Sequence, residues 1–151
     1  MNLSFRLLGP NDVAILEHLA RNDPAFDIEG RGVALEPLAP EAAQRFLADP
    51  AVLFWVAREG EEIAGFVYCL IVPLRSSDEQ ELLLYEIGVR SEFRRKRVGR
   101  LLLDHMEGGM RTNGVGEVWV CADNPAAVEF YRASNCEIAE DQPVYMTRRA
   151  R

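Results

Sequence analysis

The sequence has no apolar run approaching the roughly 20 residues that a membrane-spanning helix needs. Its first residues, Met1-Asn2-Leu3-Ser4-Phe5-Arg6, carry neither the basic region nor the long apolar core of an export signal. A soluble, cytoplasmic protein with no membrane partner is therefore expected. Cysteine is scarce: Cys69, Cys121 and Cys136 are odd in number and fit no paired metal spacing, so they are expected as reduced, mostly buried thiols and no metal site is expected. The two histidines, His18 and His105, fall on apolar helix faces and are expected to be core or surface residues rather than catalysts. Internal repeats and interdomain linkers are also missing. Positive charge is in the minority, with 17 Lys and Arg against 24 Asp and Glu, a net charge of −7 and a pI of about 4.9. Duplex-binding domains spread basic residues over a face and tend to high pI, so nucleic acid is not an expected partner.

What remains is 151 residues, 48% hydrophobic and 27% charged, a composition that predicts one globular domain over 1–151 with a real core. The order of elements reads strand, helix, helix, three strands, helix, strand, helix, strand or hairpin. Leu3 to Leu8 is a strand, and Gly9-Pro10-Asn11-Asp12 opens a helix with Val13, Leu16, Leu19 and Ala20 at helical spacing. Residues 23–39 show no period and are expected as a loop, with or without a turn of helix. That acidic segment is either a substrate wall or a solvated connector. Pro40 suits the first turn of a second helix, which Asp49-Pro50 ends near Ala48. Val52 to Arg58 and Ile63 to Val72 read as a hairpin about Glu59-Gly60-Glu61-Glu62, and Glu81 to Val89 as a fourth strand.

From Val98 the apolar residues Val98, Leu101, Leu102, His105 and Met106 form the stripe of a core-facing helix, whose last turn is expected to be loose at Gly108-Gly109. Val118 to Ala122 is expected as a fifth strand. Asn124 and Pro125 then suit the N-cap and first position of a last helix that ends near Ser134-Asn135. The tail from Glu137 to Arg148 is expected to form one or two short strands.

Residues 90–100 hold six Lys and Arg and one acid, a local charge of +5 that leaves −12 on the rest of the chain. This segment joins the fourth strand to a helix. A strand feeding a basic loop that opens a helix aims free backbone N–H groups and the positive helix end at one point, which is how a pyrophosphate is held. A basic spot on an acidic body fits an anionic cofactor at one place and a cationic second substrate elsewhere.

Two segments then carry a resemblance. Arg94-Arg95-Lys96-Arg97-Val98-Gly99 is similar to the Arg/Gln-x-x-Gly-x-Gly/Ala signature of the GNAT acetyltransferase superfamily, with Arg97 where that family prefers glycine. Asn124-Pro125-Ala126-Ala127-Val128-Glu129-Phe130-Tyr131 looks like its Asn-x-x-Ala-x-x-Phe/Leu-Tyr segment. Leu7-Leu8-Gly9-Pro10, Leu84-Tyr85-Glu86-Ile87-Gly88-Val89 and Asn124-Pro125-Ala126-Ala127-Val128 further resemble the aminoglycoside 3-N-acetyltransferases, in which a Tyr-Asp pair stands where this chain has Tyr85-Glu86. The tail departs from that subgroup, reading Val144-Tyr145-Met146-Thr147-Arg148 in place of an acidic end.

The resemblance implies an α/β (α+β) fold: a single GNAT-like domain, its mixed sheet of six to seven strands flanked on both faces by four helices, with the fourth and fifth strands splayed. It implies acetyl-CoA as co-substrate and transfer to an amine, in the narrower likeness the 3-amino group of an aminoglycoside. Another small amine, a peptide N-terminus and a degenerate acyl-CoA-binding module are the competing expectations. A homodimer is compatible with the superfamily.

Acetyl transfer needs an amine relieved of its proton, a polarised carbonyl and a protonated leaving thiolate. Glu86, among apolar strand neighbours, is expected to be buried and to act as the base, or else to be an outward residue paired with an Arg. Backbone at Ile87, Gly88 and Val89 would polarise the thioester; Gly88 marks a bulge, a close ligand approach or a packing choice. Arg94, Arg95, Lys96, Arg97, Val98, Gly99 and Arg100 would hold the phosphates. Asn124, Ala127 and Phe130 would complete the cofactor set, Asn124 serving the pantetheine arm or only its helix cap. Tyr131 matches the family's general acid, or is a core aromatic. Asp23, Asp27, Glu29, Glu36 and Tyr85 are the candidate contacts for a cationic acceptor.

Overall fold

The computed structural model describes residues 1–27 and 32–150. These fall into two compact units, Met1–Cys121 and the shorter stretch from Ala122 onward. In the first unit the chain runs β1 (Leu3–Leu7), α1 (Val13–Arg21), α2 (Asp23–Phe26), α3 (Pro40–Ala48), β2 (Val52–Glu59), β3 (Glu62–Pro73), β4 (Gln80–Val89), a 3-10 turn (Ser91–Phe93), α4 (Val98–Thr112) and β5 (Val115–Trp119). The second unit holds α5 (Pro125–Ala133).

The strands form one mixed sheet in the order β1-β2-β3-β4-β5, antiparallel through β4, with β5 parallel to β4. Parallel neighbours need a crossover, and α4 supplies it. Local chemistry sets the ends of several elements. The Asp12 carboxylate accepts the Gly9 N–H at 2.8 Å and pairs with Arg6 at 2.5 Å, fixing the turn into α1. Gly60, at φ +58°, turns β2 into β3.

Alternation along the strands divides the core. On one face Phe54 and Val56 of β2 pack with Leu19 of α1, Phe26 of α2 and Leu47 of α3, with Phe66 and Tyr68 partly buried against them. The other face meets α4. There the buried Cys69 Sγ lies 3.6 Å from Met106 Sδ, and Trp55 of β2 lies against the helix at Gly109. A Cβ at Gly109 would come within 2.6 Å of the Trp55 ring, so this glycine marks close packing; α4 runs through Gly108 and Gly109 to Thr112.

The sheet has five strands among the described residues, against the six or seven expected. Residues 137–150 form none. Val144, Tyr145 and Met146 are 82–85% exposed, so no burial drives a ladder there, and Pro143 lacks a donor for one. Among the described residues there are five α-helices against the expected four, because the irregular acidic segment contains α2. The fifth strand also begins earlier than Val118: Gly114, at φ +67°, delivers the chain directly into Val115 opposite Gln80. No helix among the described residues is long and apolar enough to cross a membrane.

Candidate active site

Two features of β4 create an opening in the first unit. Pairing with β5 stops at Leu83 opposite Trp119, while β4 continues to Val89, so the two strands part over the last residues of β4. On the other side β3 pairs along the whole of β4, with one irregularity: Tyr68 faces Glu86 but Cys69 faces Leu84, leaving Tyr85 as an extra residue. Such a bulge reorients the side chains around it.

The hydrogen-bond parity of this segment follows from the Arg90 N–H, which reaches the Ala64 carbonyl at 2.9 Å. In an antiparallel ladder every second residue bonds to the partner strand, so Gly88 and Glu86 also face β3. The N–H groups of Ile87 and Val89 therefore point into the gap left by β5. The Val89 carbonyl, on that same side, accepts the Arg94 Nε–H at 3.0 Å.

Beyond β4 the basic loop takes an uncommon backbone. Arg95 and Arg97 have φ of +60° and +66°, the left-handed region, and Arg97 is the N-cap of α4. Glycine is the usual residue for this geometry. The residue that replaces the motif glycine thus keeps a glycine-like backbone at a steric cost. The first amide of α4 bonded back to the loop is Leu101's, to the Arg97 carbonyl at 3.0 Å. The preceding N–H groups of Val98, Gly99 and Arg100 are those a helix leaves open at its start. Arg95, Arg97 and Arg100 are exposed, Lys96 Nζ rests 5.5 Å from the Phe93 ring, and none of the four forms an ion pair among the described residues. Open amides, a helix N-terminus and four uncompensated cations are what a pyrophosphate requires, so the residues present fit the phosphate end of coenzyme A.

Glu86 is exposed, which corrects the expected burial. The apolar content of β4 implied a strand covered on both faces, but Leu82 and Leu84 point toward α4 while the bulge turns Tyr85 and Glu86 to an open stretch of the opposite face. An aromatic wall stands beside it. Tyr68, the cross-strand partner of Glu86, has its ring 5.4 Å from Tyr85, 5.6 Å from Phe54 and 5.2 Å from Phe46. Burial first, then the Glu86 carboxylate, push the Tyr68 phenol above its ordinary pKa. Sequence reasoning missed Tyr68; pairing the hairpin strands register by register would have found it. Gly88 is explained by packing, because a Cβ there would sit 2.6 Å from the Phe66 ring and 3.1 Å from Phe26 Cβ.

Asp23 lies on α2, which packs on this same face through Phe26, and Asp27 caps that helix. Arg94 departs from its expected duty to the phosphates: its side chain donates to Val89 and, at 3.3 Å, to the Ala25 carbonyl of α2. Glu36 is exposed on a segment tied to α1 by the Leu35 N–H to Ala20 carbonyl bond of 3.0 Å. Glu29 lies outside the described residues. Among the thiols only Cys69 is fully buried, and burial pushes it up to about 12; Cys121 is exposed, against expectation, because β5 has already ended before it.

In the second unit the cap of α5 forms as its sequence requires. Asn124 Oδ1 accepts the Ala127 N–H at 2.8 Å, Pro125 takes the first helical position, and Asn135 adopts φ +67° beyond the end. Tyr131 is buried, with the Phe130 ring 5.1 Å away.

The family model of the GNAT acetyltransferases matches residues 15–135, and the chain belongs to that family. It is an acetyltransferase of the group whose members use acetyl-CoA as donor. In overall fold it is similar to an aminoglycoside acetyltransferase from an uncultured soil metagenomic sample, solved with sisomicin: the TM-score is 0.85 at 22% identity over 99% of this chain and 97% of that one. A ribosomal-protein-alanine N-acetyltransferase from Brucella melitensis shares the fold at a TM-score of 0.75 and 18% identity, over 99% of this chain and all of that one. By sequence, the alanine N-acetyltransferase of ribosomal protein bS18 from Salmonella typhimurium is 38% identical over 55 residues, 35% of this chain. That match spans only 37% of the relative's length.

Proposed function

We propose that this acetyltransferase moves the acetyl group of acetyl-CoA directly to an amine of a cationic small molecule, the 3-amino group of an aminoglycoside being the preferred acceptor. The observation that carries the reading is the pairing of an open β4 edge and basic loop with Tyr85 and Glu86, exposed on the bulge within that edge. Bound acetyl-CoA supplies the activated acetyl group. Val98, Gly99 and Arg100 hold its phosphates through their amides, aided by the charges of Arg95, Lys96 and Arg97. The Ile87 and Val89 amides donate toward the thioester carbonyl.

Glu86 takes the proton from the incoming ammonium, directly or through the water its exposure admits. The amine nitrogen then bonds to the acetyl carbon, the carbon–sulfur bond breaks, and the departing thiolate takes a proton, for which the family resemblance offers the Tyr131 hydroxyl. Acidic groups draw the cationic acceptor: Asp23 begins α2, Asp27 caps its end, and the chain outside the basic segment carries −12. The likeness to a sisomicin-binding enzyme supports an aminoglycoside acceptor. A second reading, a protein N-terminal amine, is supported by the 55-residue match to the bS18 alanine enzyme.

Thiol release from acetyl-CoA separates these readings. With sisomicin, a polyamine and an alanine-starting peptide as acceptors, turnover is expected to be fastest with sisomicin. Turnover with the peptide alone would move the assignment to the second reading. Tight coenzyme A binding without turnover on any amine would reduce the chain to a binding module.

A further inference from the structure

The proposal that acetyl-CoA docks on the basic loop leaves one of its residues unused. Arg94 begins that loop, yet its guanidinium is turned away from the open amides and bridges two carbonyls, Val89 at the end of β4 and Ala25 in α2. We propose that Arg94 is a positioning residue that couples coenzyme binding to the docking of α2, the wall that carries Asp23 and leads into Asp27.

Helix α2 has four residues and cannot hold itself together, so its place depends on what it touches. Among the described residues its attachments include Phe26, buried in the core cluster with Leu19 and Leu47, and the Ala25 carbonyl, both close to the last residues of β4. Phe26 packs edge-on against Phe66 at 5.7 Å, with its Cβ over Gly88, and Ala25 accepts from Arg94. One feature opposes docking. Asp23 Oδ2 is buried with no hydrogen-bond partner, and an unpaired buried carboxylate oxygen is unfavourable. This opposition works against the burial of Phe26, and losing the Arg94 bridge shifts the balance away from the docked state.

The loop that carries Arg94 is itself under tension. Two of the three residues after it, Arg95 and Arg97, are non-glycines in the left-handed region, and four cations are crowded between residues 95 and 100. A bound polyphosphate relieves the repulsion and pairs with the open amides, which favours this loop conformation over alternatives. With the loop fixed, the Arg94 fork stays aimed at both carbonyls. The coupling is reciprocal: whatever orders α2 also strengthens coenzyme binding. Lysine keeps the charge but has no rigid fork with which to span two acceptors.

The inference rests on coenzyme A binding at this loop, so the experiment reads loop and helix separately. Amide exchange is followed by mass spectrometry in wild-type protein and in Arg94→Lys, each with and without coenzyme A, alongside calorimetric coenzyme affinity. In the wild type, coenzyme is expected to slow exchange in peptides covering residues 95–101 and also, by about tenfold, in the peptide covering 23–27. Arg94→Lys is expected to bind coenzyme up to about tenfold more weakly, the reciprocal share of the lost coupling, to retain loop protection at saturating coenzyme and to lose the protection of 23–27. Loop protection in the wild type without any change at 23–27 overturns the coupling and leaves the coenzyme site standing; this arm needs no variant to fold. Equal helix protection in Arg94→Lys, or a hundredfold or greater loss of coenzyme affinity, also overturns it, the latter by exceeding the coupling and making Arg94 a direct ligand. No protection at the loop in the wild type overturns both the coupling and the site.

Discussion

Replacing Arg97 by glycine and, separately, by alanine measures the cost of the backbone that the basic loop adopts. Arg97 sits at φ +66° with an exposed side chain. A residue with a Cβ in the left-handed region costs about 1–2 kcal/mol. Alanine retains that cost and glycine removes it, although glycine gives up about 0.5–1 kcal/mol to its freer unfolded chain. Both variants lose the same charge from the cluster, so their difference isolates the backbone. Arg97→Gly should exceed Arg97→Ala in stability by about 0.5–1 kcal/mol, roughly 1–4 °C in Tm for a chain of this size. Thermal unfolding without ligand reads this difference, and a coenzyme A titration shows what the charge contributes. A glycine variant no more stable than the alanine variant would refute the left-handed assignment, and with it the account of how the loop tolerates arginine at the motif's glycine position.

Other expectations use different parts of the molecule. Glu86→Gln should lower turnover by about 100-fold at neutral pH with little change in coenzyme affinity, and Tyr131→Phe should likewise act on turnover; an unchanged rate in Glu86→Gln removes the base. The adjacent glycines of α4 should respond with opposite signs. Gly108→Ala meets nothing within 4 Å and should gain about 1 kcal/mol of helix propensity, whereas Gly109→Ala drives a Cβ to 2.6 Å from Trp55 and should lose about 1–2 kcal/mol, both read by denaturant unfolding. Burial raises the Cys69 thiol from 9.0 to about 12, so the folded state keeps its proton at a pH where the unfolded chain releases it. Its contribution is complete below pH 9 and falls as pH rises from 9 toward 12, by up to about 1.4 kcal/mol per unit, a slope that Cys69→Ala should flatten. Exposed Cys121 should react with a thiol reagent well before Cys69, and equal rates would contradict the burial pattern.

Features governed by local chemistry were legible in the sequence. Pro40 opens α3, Asn124 caps α5 and Asn135 takes a left-handed turn because each depends on a few neighbouring atoms. The basic loop before α4 was equally plain, since strand, charge and helix follow one another. What escaped depends on partners distant in sequence. The start of β5 is set by parallel pairing with Gln80 and by Gly114, and the apolar tail residues look strand-like whether or not anything covers them. Glu86 looked buried because hydropathy averages over a strand, while a single extra residue at Tyr85 decides which face it takes. The Arg94 side chain was read with its charged neighbours, but its partner at Ala25 is brought to it only by the fold.

The central claim is that acetyl-CoA lies along the gap beside β4 with its phosphates at the start of α4. Backbone amide resonances followed during a coenzyme A titration test it most directly. The largest shifts are expected at Val98, Gly99 and Arg100, with Ile87 and Val89 moving as the thioester end is filled by acetyl-CoA. Saturable binding that shifts other amides and leaves these five unmoved would contradict the account.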